Sequence, residues 1–70
     1  MTYNDLQERI HQNIRRVKVE KKLSNRKLAK ITGMSDVTIS FVMSGRRNVT
    51  LYTLWALAEA FDVDIKELFE

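Results

Sequence analysis

Apolar residues recur at helical spacing near the start of this chain. Leu6, Ile10, Ile14 and Val17 are separated by four, four and three positions. This spacing places them on one stripe of an amphipathic helix. The pattern therefore predicts a first helix from about Asn4 to Lys22, with polar residues on its solvent side.

Capping residues predict three further helices. Ser24 and Gly33 bracket a short second helix, Ser35 and Gly45 bracket a third, and Thr50 precedes a fourth. A Ser or Thr side chain accepts a hydrogen bond from a free amide at a helix start. Glycine readily takes the left-handed conformation that ends a helix.

The C-terminal third of the chain predicts two helices. The inner stripe of the fourth helix, "LYTLWALAEAF", consists of four residues: Leu51, Leu54, Ala58 and Phe61. Asp64 and Glu67 then have the spacing of a capping box ahead of a short fifth helix. That helix carries three apolar residues: Ile65, Leu68 and Phe69. With no proline and with scattered β-branched residues, the sequence predicts an all-α fold of five helices.

Length and composition narrow the class of protein. Seventy residues with 44% apolar content predict one ordered domain, residues 1–70. The absence of cysteine excludes disulfides and thiolate metal sites. Because the apolar residues are dispersed and the N-terminus is acidic, we expect neither a membrane span nor a signal peptide. A reduced, cytoplasmic setting follows as the expectation.

Charge is distributed unevenly along the chain. Residues 1–33 carry nine Lys or Arg against three Asp or Glu, whereas residues 50–70 carry Lys66 against five acids. This asymmetry suggests a polyanionic partner on the basic side. An ordinary solvated basic helix accounts for the same charges, so composition alone leaves the two readings open.

Six positions of the second and third helices fit a helix-turn-helix over about residues 24–44. They are Leu28, Ala29, Gly33, Met34, Ile39 and Val42. The small Ala29 lets the two helix axes approach closely, and Gly33 supplies the positive φ of a tight turn. The last three residues bury the back of the third helix.

The segment "SNRKLAKITGMSDVTISFVMSGRRNVTLYTLWALAEAFDVDIKELF" resembles the Cro and phage-repressor (XRE-like) class of helix-turn-helix domains. The resemblance covers roughly residues 13–69, starting at "NIRRVK". It implies a compact, lambda-repressor-like domain of five helices that binds operator DNA, usually as a dimer on a pseudo-palindrome. It also implies a prokaryotic or phage-encoded protein that acts at the nucleoid.

The resemblance further implies roles for individual residues. Asn25, at the first position of the second helix, would contact a phosphate. Three residues of a recognition helix at about 36–43 would read bases: Asp36, Val37 and Phe41. Three residues after it would clamp the DNA backbone: Ser44, Arg46 and Arg47. The chain departs from the family pattern at Lys18 and Met43, where many members hold an Arg–Glu ion pair, and at Val49, where proline is usual.

The helical wheel of the third helix gives the same face without the resemblance. This face, opposite Ile39 and Val42, is formed by five residues: Asp36, Val37, Ser40, Phe41 and Ser44. It lacks Lys and Arg, so it offers a carboxylate for a cytosine amino group and apolar surface for thymine methyls rather than an arginine for guanine. Two alternatives stay open: Asp36 serves only the helix dipole, and Phe41 folds into the core.

The binding energy would come from groups that flank this face. We predict phosphate contacts by Asn25, Arg26, Ser35, Ser44, Arg46 and Arg47, while base readout is predicted for Asp36, Val37, Ser40 and Phe41. Lys27 and Lys30 can flank the groove as well. Neutralising phosphates in this way predicts a steep dependence of DNA affinity on salt.

The aromatic residues of the C-terminal half have two interpretations. Tyr52, Trp55 and Phe69 form a homodimer interface, or Trp55 completes the core of a small domain. We favour a dimer because one short recognition helix rarely gives enough specificity alone.

No catalytic or metal-binding constellation can be assembled around His11, the only histidine, so no enzyme activity, cofactor or small-molecule ligand is expected. We predict a sequence-specific transcriptional regulator of phage-repressor or restriction-modification controller type. Its partners would be double-stranded DNA and a second copy of the chain, and no effector domain is expected after residue 70. The alternative is an antitoxin-like interaction module whose C-terminal half binds another protein.

Overall fold

A computed structural model describes residues 1–46 and 48–70, and every element in these residues is helical. Four α-helices are followed by one 3₁₀ helix: α1 (Tyr3–Glu20), α2 (Asn25–Thr32), α3 (Asp36–Ser44), α4 (Leu51–Phe61) and the 3₁₀ helix (Ile65–Leu68). The all-α prediction is confirmed, with the fifth element a 3₁₀ turn rather than an α-helix. None of the described helices has the length and apolarity needed to cross a membrane.

The predicted helix boundaries follow from the capping residues. The side chains of Ser24, Ser35 and Thr50 each accept a hydrogen bond from the amide three residues further on, all at 3.1 Å. Gly33 and Gly45 end α2 and α3 in the left-handed conformation, with φ of 78° and 77°. The two glycines therefore mark the ends of the two helices, as predicted.

Two other helices end at residues that are not glycine. The chain leaves α1 through Lys22 (φ 57°) and leaves α4 through Asp62 (φ 59°). Each residue lies inside a hydrogen bond that closes the helix end, from the Leu23 amide to the Lys18 carbonyl and from the Val63 amide to the Ala58 carbonyl, both 3.1 Å. Because nothing in these residue types signals a left-handed position, the predicted end of α1 falls beyond its observed end at Glu20.

All four helices and the 3₁₀ helix contribute to one core. The stripe of α1 buries Ile10, Ile14 and Val17, each at most 2% exposed. The helix-turn-helix pattern is confirmed: Leu28 and Ile39 are fully buried and Met34 packs against the core. The remaining core residues come mainly from α4 and the 3₁₀ helix: Leu54, Leu57, Ala58, Phe61 and Leu68.

Leu51 was predicted on the inner stripe of α4, and this prediction is wrong. Its side chain is 74% exposed, and Leu57 is buried on the inner face instead. Side chains of a helix tilt toward its N-terminus. Because Leu51 is the first residue of α4, its side chain leans past the helix start rather than onto the core. Phe69, predicted on the apolar side of the last helix, is 39% exposed.

Three polar side chains of α1 are buried beside its apolar stripe: Gln7, His11 and Asn13. The Asn13 Nδ2 donates to the Leu68 carbonyl at 3.1 Å and ties α1 to the 3₁₀ helix. Nδ1 of His11 lies 2.7 Å from the Gln7 carbonyl. Buried polar groups are retained when they find partners: Asn13 finds one on another element, whereas this contact of His11 lies within α1.

Candidate nucleic-acid interface

The turn between α2 and α3 is held by local hydrogen bonds. The Gly33 amide donates to the Ala29 carbonyl at 2.9 Å. The Thr32 hydroxyl donates to the Leu28 carbonyl at 2.7 Å and accepts from the Met34 amide at 3.2 Å. A three-residue turn with a left-handed glycine is the geometry of a helix-turn-helix. The turn thereby sets the angle between α2 and α3.

One side of α3 faces solvent and the other faces the core. Ile39 and Val42 are 0% and 2% exposed, whereas Val37 is 62% exposed. Four predicted contact residues of α3 lie on the open side: Asp36, Val37, Ser40 and Ser44. Phe41 is half-buried between the two sides, so it is neither a core residue nor a fully presented one. With 9 residues rising 1.5 Å each, α3 is about 13 Å long, which suits a DNA major groove.

The predicted phosphate-contacting hydroxyls are engaged within α3. The Ser35 hydroxyl donates to the Thr38 Oγ1 at 2.9 Å, and the Ser44 hydroxyl donates to the Phe41 carbonyl at 3.0 Å. A phosphate would have to replace these acceptors. Asn25 begins α2, and its Oδ1 is buried without a hydrogen-bond partner among the described residues.

Three of the predicted cations lie in α2, beside the start of α3. Arg26, Lys27 and Lys30 are exposed, and they line, together with Asp36, an open groove of about 630 Å³ between α2 and α3. Within residues 1–46 and 48–70 the one ion pair joins two residues of α1, Arg16 and Glu20. The α2 cations are therefore available to phosphates.

Arg46 is positioned by the end of α3. Its amide donates to the Phe41 carbonyl at 3.2 Å, one residue beyond the left-handed Gly45. This bond fixes the backbone of Arg46 against the last turn of α3. Arg47, the other arginine of the predicted clamp, lies outside the described residues.

Two side chains of α1 hold the two ends of the clamp segment (residues 44–49), and the sequence did not predict either contact. The Arg15 Nη1 donates to the Met43 carbonyl at 3.0 Å. The carboxamide of Gln7 pairs with the backbone of Val49, accepting from its N–H at 2.8 Å and donating to its carbonyl at 3.3 Å. The first contact reaches Met43, one of the two positions of the family's ion pair, but it comes from Arg15 rather than from Lys18. The second uses an N–H that the family's usual proline lacks.

The aromatic residues of α4 form an exposed apolar surface. Tyr52 and Trp55 contact each other with tilted rings, 5.9 Å apart between ring centroids, and are 63% and 51% exposed. Together with Ile31, which is 51% exposed, they line a cavity of about 280 Å³. The interpretation of Trp55 as a core residue is therefore excluded. Phe69 is not among the residues that line this cavity.

The described residues contain no group of three or more His, Cys, Asp or Glu that could hold a metal ion. The turn geometry and the exposed side of α3 are those of a helix-turn-helix domain, the class to which many DNA-binding transcriptional regulators belong. The chain belongs to the helix-turn-helix family, whose model matches residues 14–68. This confirms the resemblance to XRE-like domains.

Among known proteins, the chain is similar to restriction-modification controllers. It is 35% identical over 66 residues to the control protein C.SmaI of Serratia marcescens. The aligned region covers 94% of this chain and 79% of that protein. It superposes with a TM-score of 0.82 on the crystal structure of the restriction-modification controller protein C.AhdI from Aeromonas hydrophila. That match has 36% identity and covers 96% of this chain and 100% of the other.

Proposed function

We propose that this chain is a controller-type regulator of a prokaryote or its phage that acts in the cytoplasm as a single domain, binding its operator as a homodimer. The observation that carries the proposal is the two-sided character of α3. Ile39 and Val42 anchor it in the core, while Asp36, Val37 and Ser40 stay open to solvent. A helix held from behind in this way can enter the major groove with little rearrangement.

The open side of α3 supports recognition of pyrimidine-containing steps. The carboxylate of Asp36 accepts a hydrogen bond from a cytosine N4 amino group, and Val37 contacts a thymine methyl. Ser40 supplies a hydroxyl that can donate or accept. The half-buried Phe41 borders this side and limits how deeply a base can approach α3.

Phosphate contacts flank the reading residues. Arg26 lies at the start of α2, Arg46 follows the end of α3, and Arg47 comes next in the sequence. Asn25 adds its amide beside the free backbone N–H groups at the α2 N-terminus. Ser35 and Ser44 contribute when a phosphate displaces their internal acceptors.

We assign the homodimer interface to the exposed surface of α4. Tyr52 and Trp55 pack against each other with tilted rings, and Ile31 and Leu51 extend the apolar area around them. Exposed aromatic clusters of this kind mark contact surfaces. Phe69 belongs to the same predicted interface from the C-terminal end, and two copies would place their α3 helices in half-sites about one helical turn apart.

Selection of duplexes from a random pool, followed by anisotropy titration from low to high salt, tests the proposal. We expect a pseudo-palindromic site, a strong preference over scrambled duplex and a steep loss of affinity with salt. Equal affinity for all duplexes, or a flat salt response, would contradict it. A complex with another protein that survives high salt, together with weak DNA binding, would instead favour the antitoxin-like alternative.

A further inference from the structure

Gln7 makes an unusual set of contacts for a surface helix. Its side chain is 7% exposed, although the residue lies in the second turn of α1. The Nε2 group donates to the Val49 carbonyl and to the Tyr3 hydroxyl, while Oε1 accepts from the Val49 N–H. Both amide protons and the carbonyl oxygen are thereby used. Such double pairing of a side-chain amide with one backbone residue resembles a single rung of a β-ladder.

The paired residue, Val49, ends the segment that carries the predicted phosphate contacts. Within it, Arg46 follows the left-handed Gly45 that ends α3, and Thr50 caps α4 just after Val49. A polar cavity of about 310 Å³ lies between α1 and this segment. Its lining residues come from both sides: Asn4, Gln7, Glu8, His11, Arg15, Ser44, Gly45 and Asn48. Gln7 and Arg15, which line this cavity, connect α1 to the chain at the two ends of the segment.

We infer that Gln7 is a positioning residue for DNA binding: through Val49 it fixes the far end of this segment, while the bond from the Arg46 amide to Phe41 fixes the near end, and the two together hold Arg46 where a phosphate can meet it. This inference rests on the proposed phosphate clamp. Gln7 lies upstream of residues 14–68, which the family model matches, so the role belongs to a part of α1 outside the matched motif.

Replacement of Gln7 by Met tests the inference, because Met keeps the length of the side chain but removes all three hydrogen bonds. We expect the slope of log affinity against log salt to decrease by about one per subunit, the value of one lost phosphate contact. At about 0.1 M salt this corresponds to a roughly tenfold loss of affinity. Operator and scrambled duplexes should lose affinity alike, since no base contact changes.

Asn13→Leu is the matched control. Asn13 is also a buried amide of α1 that donates to a backbone carbonyl, but its acceptor is Leu68, away from the clamp segment. This variant should destabilise the fold and leave the salt slope of the folded protein unchanged. A Gln7→Met slope equal to that of the wild type would overturn the inference, as would equal slope changes in Gln7→Met and Asn13→Leu.

Arg46→Ala separates this inference from the proposed function. If Arg46→Ala lowers the slope and Gln7→Met does not, only the role of Gln7 fails. If neither variant lowers it, the phosphate clamp fails together with the inference. If Gln7→Met does not fold, Gln7→Ala replaces it, because it removes the same three hydrogen bonds without adding a charge. The same decrease is expected, and an unchanged slope would overturn the inference.

Discussion

Asp36 stands at the first position of α3 with an exposed side chain, opposite the cations that line the groove beside α2. A carboxylate at a helix N-terminus contributes about 0.3–1 kcal/mol through the helix dipole. The same negative charge opposes phosphates, so it costs DNA affinity unless it gains a specific contact. The positive charges of Arg26, Lys27 and Lys30 attract phosphates and offset that cost.

Asp36→Asn separates the two roles of this residue. The amide is nearly isosteric, but it can donate as well as accept, which suits adenine rather than cytosine. We expect site selection with the variant to change one base position in each half-site from cytosine to adenine, with a discrimination of about 1–3 kcal/mol. The same selected site for both proteins would reduce Asp36 to a dipole partner.

Lys22 carries a backbone cost at the end of α1. Its φ of 57° lies in the left-handed region, where a residue with a Cβ is disfavoured by about 1–2 kcal/mol. Lys22→Gly removes this cost but adds unfolded-state entropy, so we expect a net gain of about 0.5–1 kcal/mol in the free energy of unfolding by urea titration.

Lys21→Gly is the control for this prediction. Lys21, next to Lys22 and also exposed, has a right-handed backbone with φ of −86°. Glycine there brings only its entropic penalty, so the variant should be less stable than the wild type. A gain of similar size at both positions would show that backbone strain at Lys22 is not the cause.

At single positions, the sequence predicted those features that a residue type determines locally. Ser24, Ser35 and Thr50 cap helices because of their hydroxyls, and Gly33 and Gly45 end them because they lack a Cβ. The left-handed Lys22 and Asp62 could not be predicted, because their conformation follows from the direction that the chain must take after each helix rather than from their own preference.

At the level of elements, α1 does more than cover the helix-turn-helix. Arg15 holds the last turn of α3, and Gln7 holds the residue that precedes the cap of α4. The clamp segment is thus attached to one helix at both ends. The apolar stripe of α1 was predictable from its spacing, but the buried amides beside it were not, since their burial depends on partners 42 and 55 residues away.

Val49→Pro tests this connection through stability. Proline removes the N–H that donates to the buried Gln7 Oε1, and an unpaired buried acceptor costs about 1–3 kcal/mol. In a Gln7→Met background there is no acceptor to leave unpaired, so the same substitution should cost less. Equal costs in the two backgrounds, measured by urea unfolding, would mean that the bond contributes no coupling.

At the level of the whole molecule, the basic and the acidic part of the chain carry different exposed surfaces. The α2 cations line the groove beside α3, while the exposed aromatic surface lies on α4, in the acidic C-terminal third. The charge asymmetry was visible in the sequence. The exposure of Trp55 could not be predicted from the sequence, because the spacing of α4 allows an aromatic residue at this position to face either the core or the solvent.

Trp55→Ala tests the assignment of the dimer interface. Truncating a central aromatic of an interface costs about 2 kcal/mol or more, roughly a 30-fold weaker dimer. Val19→Ala serves as control, since Val19 is an apolar residue of α1 that is 74% exposed. Sedimentation equilibrium should show weaker association only for Trp55→Ala, and equal dimer constants for this variant and the wild type would move the interface elsewhere.

We propose that Asp36 contacts bases and determines sequence preference, whereas Arg46 contacts phosphates. Anisotropy titration of Asp36→Ala and Arg46→Ala against operator and scrambled duplexes, at several salt concentrations, measures both properties at once. We expect Asp36→Ala to lower the ratio of operator to scrambled affinity without lowering the salt slope. Arg46→Ala should lower the slope by about one per subunit and leave the ratio unchanged. Two variants that weaken all duplexes alike, with equal slopes, would contradict the claim.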